Sequence, residues 1–142
     1  MSNHGITLVE LLVVMVILSM ALALVVPSMT NSYENWVLRS AGRRTVALFR
    51  LASDVARRDG SQMAAYYKNS RIVLLRNTSV YKELEIPASI TVHPEQPAGA
   101  VFLPSGQIVV SEPFVFENSR GRKMIVQVGP LLGQVSATEA TE

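Results

Sequence analysis

The chain has 142 residues, a formal net charge of +2 and no cysteine. That length allows one small domain beside a single helical segment. So slight a net charge offers no bulk-charge case for a nucleic-acid partner, and the missing cysteines exclude a disulfide framework and thiol chemistry.

The stretch from Ile6 to Val26 is apolar except for Thr7, Glu10 and Ser19. At about 1.5 Å per helical residue it spans roughly 30 Å, the thickness of a bilayer's hydrocarbon core. A carboxylate in such a run costs a few kcal/mol or more, so Glu10 calls for a function. A secretory signal peptide fits poorly, because residues 1–5 hold no Lys or Arg and Val25-Val26-Pro27-Ser28-Met29 is a poor cleavage site. A plain anchor gives no reason for Glu10, and a buried helix of a soluble protein is rarely apolar on every face for so long.

Pro27 lacks an amide donor and is expected to kink or loosen the helix. Beyond it Tyr33, Val37, Ala41, Leu48, Ala52 and Val55 recur at helical spacings and predict one apolar face. Arg39, Arg43, Arg50 and Arg57 fall on the opposite face, with Val46 as the apolar intruder and Gly42 as a mild weak point. Asp59-Gly60 predicts the helix end. After Gly60 the pattern changes to short runs rich in Val, Ile, Tyr and Phe, separated by turn residues. Nine strands are expected: 63–67, 71–76, 80–86, 89–93, 100–103, 107–110, 114–117, 123–128 and 134–137. Turns are expected at Asn69-Ser70, Asn77-Thr78, Pro104-Ser105-Gly106 and Ser119-Arg120-Gly121. One long helix followed by several strands predicts an α+β fold, with an antiparallel sheet on the apolar helix face.

Gly5-Ile-Thr-Leu-Val-Glu10, the apolar run and Pro27 together resemble the N-terminus of type IV pilins and pseudopilins. The resemblance implies a leader of residues 1–5 cut after Gly5 by prepilin peptidase, N-methylation of Ile6, and Glu10 as fifth residue of the mature chain. It further implies a transmembrane and assembly helix over 6–29, an amphipathic helix over 30–59 and a β-rich periplasmic domain over 60–142. The mature chain begins with Ile6 where the family usually has Phe, and the leader lacks the usual Lys or Arg. The Lys/Arg bias alone favours the opposite topology; the resemblance sets the one adopted. An amine at Ile6 is cationic below a pKa near 8 and attracts a carboxylate strongly in hydrocarbon. In the family that pairing is thought to join neighbouring subunits and set their register; the alternative is a Glu10 that snorkels to the headgroups. The helix-then-hairpins order, Val101-Phe102-Leu103-Pro104-Ser105-Gly106 and a closing segment Gly133-Gln134-Val135-Ser136 resemble minor pilins and pseudopilins of the GspH and FimT type.

The implied function is structural: a single-pass bacterial inner-membrane protein with its C-terminal domain in the periplasm. It would join other pilins or pseudopilins in the filament of a type II secretion system or type IV pilus, through an inner-membrane assembly platform. No cofactor or metal is expected. His93 is the one imidazole left once His4 departs with the leader, and Asp54 and Asp59 are the only aspartates, so neither a catalytic cluster nor a calcium loop is in view. Arg39, Arg43 and Arg50 are either a solvated face with local pairs such as Asp54 to Arg57, or a contact surface for acidic groups on neighbours. Arg120, Arg122 and Lys123 are either a hairpin tip or a phosphate contact. The latter gives the alternative function, a DNA-binding minor pilin; some FimT-type minor pilins bind DNA through paired arginines after a glycine, where this chain has Gly133-Gln134-Val135-Ser136.

Overall fold

The computed structural model describes residues 7–93, 99–110, 112–129 and 135–140, and of 24–31 the backbone alone. The first element is α1 (Leu8–Asp59), whose helical backbone continues through Pro27. It stops where expected, with Gly60 at φ 61° in the left-handed region that closes helices. The chain divides into two compact units, Met1–Tyr33 and Glu34–Glu142.

In the first unit every described side chain from Thr7 to Ala23 is exposed, Leu8 at 80%. Among the described residues no helix is long and apolar enough to cross a membrane. The apolar run's described side chains stop at Ala23, short of the full stretch to Val26.

Among its described residues the second unit holds the remainder of α1 and nine strands: β1 (Met63–Lys68), β2 (Arg71–Arg76), β3 (Ser79–Glu85), β4 (Ile90–His93), β5 (Gly99–Phe102), β6 (Ile108–Val110), β7 (Phe114–Asn118), β8 (Lys123–Val128) and β9 (Val135–Ala140). Each lies within a few residues of its predicted place. The single sheet expected is instead two antiparallel sheets, one ordered β3-β2-β1-β5-β6 and the other β4-β7-β8-β9. Pro87 accounts for part of the split. With no amide to donate, it does not continue a ladder beyond β3. The Ile90 amide donates to its carbonyl at 2.9 Å, turning the chain into β4, which pairs with β7 from Ile90↔Asn118 to His93↔Val115.

The two sheets explain why the helix is buried over a wider arc than its spacing predicted. Val37, Ala41, Leu48, Ala52 and Val55 are buried as expected, but so are Leu38, Phe49, Ala56 and the supposed intruder Val46. Tyr33, assigned to the apolar face, belongs to the first unit and is 65% exposed. Phe49 joins the two layers. Its ring lies 5.6 Å from Phe102 of β5 and 5.2 Å from Phe114 of β7, centroid to centroid, both in tilted or edge-on geometry. Buried Thr45 satisfies its hydroxyl within the helix, donating to the Ala41 carbonyl at 2.9 Å.

Gly42 is not a weak point but a seat. A Cβ there would lie 2.0 Å from Sδ of Met124, a buried residue of β8. Helix propensity alone predicts that Gly42→Ala stabilises by about 1 kcal/mol. The close approach reverses the sign: we expect a loss of about 1–3 kcal/mol, as for other overpacked cores. In denaturant titrations followed by circular dichroism, the loss should shrink when Met124→Ala is combined with it. A stabilised single variant would show that Met124 swings aside freely.

Candidate functional site

The helix start is built by Thr7. Its Oγ1 accepts the amide of Glu10 at 3.2 Å, and its carbonyl accepts that of Leu11 at 3.2 Å, which makes it the N-cap of α1. Thr7-Leu8-Val9-Glu10 is thus a capping-box sequence. Glu10 therefore stands in the first turn, where the helix's partial positive charge favours a carboxylate. None of the described residues pairs with it. Ser19, the other polar residue downstream, is satisfied by donating to the Met15 carbonyl at 2.7 Å. Gly5 and Ile6 lie outside the described residues, and Pro27 is described by its backbone only.

The basic residues of the second unit form a connected arrangement. The β7–β8 turn is organised by Asn118, a buried side chain. Its Oδ1 accepts the amides of Arg120 at 3.1 Å and Arg122 at 3.0 Å, and its Nδ2 donates to Oδ1 of Asn35 on α1 at 3.4 Å. Arg120 Nε then donates to Glu34 Oε2 at 2.8 Å, tying the turn to the helix a second time. Lys123 Nζ lies 4.0 Å from Glu117 Oε2, and His93 Nε2 lies 3.4 Å from the same oxygen. Beside the turn is a hollow of about 410 Å³ whose charged lining is Arg39, Arg120, Arg122, Lys123 and Glu139. Among the described residues, Arg122 and Arg43 make no ion pair.

The arginine stripe of α1 is not wholly opposite the sheets, as its spacing had suggested. Arg39 pairs through Nε with Glu139 of β9, with a second bond from Nη2 to Oε2 at 3.3 Å, and Arg50 Nη2 donates to the Val135 carbonyl at 3.1 Å. Two of the three arginines offered as a solvated face or a contact surface therefore contact their own chain's last described strand. The third, Arg43, lines an open groove of about 700 Å³ with Arg50, Asp54 and Val135. Arg57 makes the local pair expected of it, to Asp54 Oδ1 at 3.0 Å.

Sequence patterns missed Thr7, Glu34, Asn118 and Glu139. The Thr-x-x-Glu spacing was a usable signal for the first. Glu34 and Glu139 act across separations of 86 residues or more and leave no local trace, and Asn118 adds to its local turn bonds one to Asn35 across 83 residues. Among the described residues, no group of three or more His, Cys, Asp or Glu side chains gathers to hold a metal.

An exposed apolar helix segment with one carboxylate in its first turn, followed along the same chain by a compact helix-and-two-sheet unit, is the outline of an α+β protein. Comparison with known families makes that outline specific. The family model described as the prokaryotic N-terminal methylation motif matches residues 1–26. The chain thus carries the type IV pilin and pseudopilin signal, and Gly5, Ile6 and Glu10 all fall inside the matched segment. No curated protein and no solved structure matches the chain.

The hydrogen bond from Arg39 holds the Glu139 carboxyl below its ordinary range; partial desolvation opposes this, and the charges of Arg39, Arg122 and Arg43 reinforce it. A depressed carboxylate stabilises the docked strand above its ordinary pKa, and that contribution is lost as pH falls through the lowered value. Replacing Arg39 by Gln should move the Glu139 carboxyl titration, followed by NMR, back toward higher pH. In the unmodified chain, the hydrogen-exchange protection of β9, corrected for the intrinsic pH dependence of amide exchange, should fall only at acid pH. A Glu139 titration unmoved by Arg39→Gln would show that the pair does not form in solution.

Proposed function

We propose that the chain is a minor pilin or pseudopilin of the GspH and FimT type. It is inserted in the bacterial inner membrane through residues 6–29, cut after Gly5 by prepilin peptidase, methylated at Ile6, and assembled with other pilins into the filament of a type II secretion system or type IV pilus. It catalyses no reaction and is itself the peptidase's substrate. The methylation-motif match over residues 1–26 carries this reading. Two further observations support it. From Leu8 to Ala23 the helix side chains are exposed and, Glu10 and Ser19 apart, apolar, a surface that needs lipid or other helices to cover it. Their single carboxylate, Glu10, has no partner among the described residues, which leaves it available to the amine of a neighbouring Ile6.

Capture of DNA has weaker support. Arg120 and Lys123, two of its three candidate contacts, already face Glu34 and Glu117.

The cleavage assignment is tested by Gly5→Ala, which should leave the precursor uncut when co-expressed with a prepilin peptidase, as read by electrophoretic size. Normal processing would remove Gly5 from the site. Glu10 needs a finer variant, because its first-turn position also favours the helix itself. Gln keeps a capping-box side chain and removes the charge. Glu10→Gln should therefore insert in membranes normally yet be incorporated into filaments at least tenfold less, as Glu10→Ala should be. Normal incorporation of Glu10→Gln would reduce the residue to a helix-start role.

A further inference from the structure

Trp36 is the chain's one tryptophan. It is 62% exposed, beside the buried Val37 and Leu38 of the same helix. Arg39 and Arg43 follow at three and seven residues, which puts all three on one stripe of α1. The hollow lined by Arg39, Arg120, Arg122 and Lys123 borders that stripe through Arg39, and Glu139 is its one acidic lining residue. The acidic groups paired with this array are Glu139, Glu34 and Glu117, while Arg43 and Arg122 have no ion-pair partner among the described residues. A net cationic, hydrogen-bond-donating surface beside an exposed indole matches the water-to-lipid boundary, where tryptophan sits at headgroup level and arginine meets phosphate.

Resting on the membrane-anchored reading above, we infer that this surface of the second unit docks on anionic phospholipid headgroups before the subunit enters a filament. The occupant follows from the tether. Trp36 lies ten residues past Val26, the end of the apolar run, so the chain holds it within about 35 Å of that point even if fully extended. A bilayer is the one anionic surface that an anchored chain always has within that reach. Trp36 enters the interfacial layer, and Arg43, Arg122 and the hollow's other cations meet lipid phosphates. Each basic residue near such a surface contributes about a fivefold gain in association, lost as salt rises.

The experiment uses the full chain reconstituted in vesicles, with Trp36 as its own probe and a nitroxide attached to a lipid headgroup as quencher. Vesicles of phosphatidylcholine alone are compared with vesicles containing one-third phosphatidylglycerol. The variant is Arg43→Gln/Arg122→Gln, which breaks no ion pair within the described residues; its circular dichroism and melting should match those of the parent. We expect quenching at least twofold stronger in the anionic vesicles, and a return to the neutral-vesicle level with the double variant or at high salt. Equal quenching in both vesicle types, or none, in a chain that still floats with the vesicles would overturn the inference and leave the anchored reading intact. A chain that does not float would overturn both. Duplex DNA that binds through Arg43 and Arg122 and abolishes the quenching would overturn it in favour of a nucleic-acid surface.

Discussion

Apolar helix surface has to be covered, and α1 meets that requirement in two ways along its length. From Val37 to Ala56 the covering comes from the chain's own two sheets, with Phe49 in contact with an aromatic ring of each. From Leu8 to Leu22 no cover comes from the described residues, and large side chains stay about half exposed or more. Fully burying one such side chain is worth about 1.5–3 kcal/mol. Over more than ten residues that is a strong force toward lipid or toward like helices. Burial is not specific about partner or register, which is why a single charged residue in this stretch carries so much of the argument.

Glu10 has two compatible roles on this account. Thr7 caps the helix by accepting the Glu10 amide, and the first turn tolerates a carboxylate because of the helix's own dipole. That local arrangement lowers the cost of holding a charge where lipid would otherwise reject it. It leaves the carboxylate's oxygens uncommitted, which is the state an incoming amine requires. The proposed assembly contact therefore does not compete with the helix start, which uses only the backbone amide of Glu10.

The second unit shows how much of the fold was legible in residue pattern and where legibility stopped. Strand positions, turn positions and the helix end were all readable, because alternation, turn chemistry and Gly60 act within a few residues. The division into two sheets was not readable, since it depends on which strands pair across long loops. The same limit explains Val46 and Gly42. One looked misplaced because a single sheet was assumed, and the other looked weak because Met124 sits 82 positions away in the chain. The contacts of Arg39 and Arg50 with β9 were unreadable for the matching electrostatic reason: a stripe of like charge implies an outward face only if no other strand arrives beside it. At the candidate site, Gly5, Ile6 and Glu10 came from the family resemblance and fall within the segment that the methylation-motif model matches, whereas the acidic partners of the basic array left no pattern to read.

The claim on which the account rests is that the apolar helix begins, in the working protein, at a methylated Ile6. The direct test is the intact mass of the protein extracted from membranes of cells that make prepilin peptidase. The account predicts a chain running from Ile6 and heavier by one methyl group. A chain still carrying Met1, or any of residues 2–5, would contradict it.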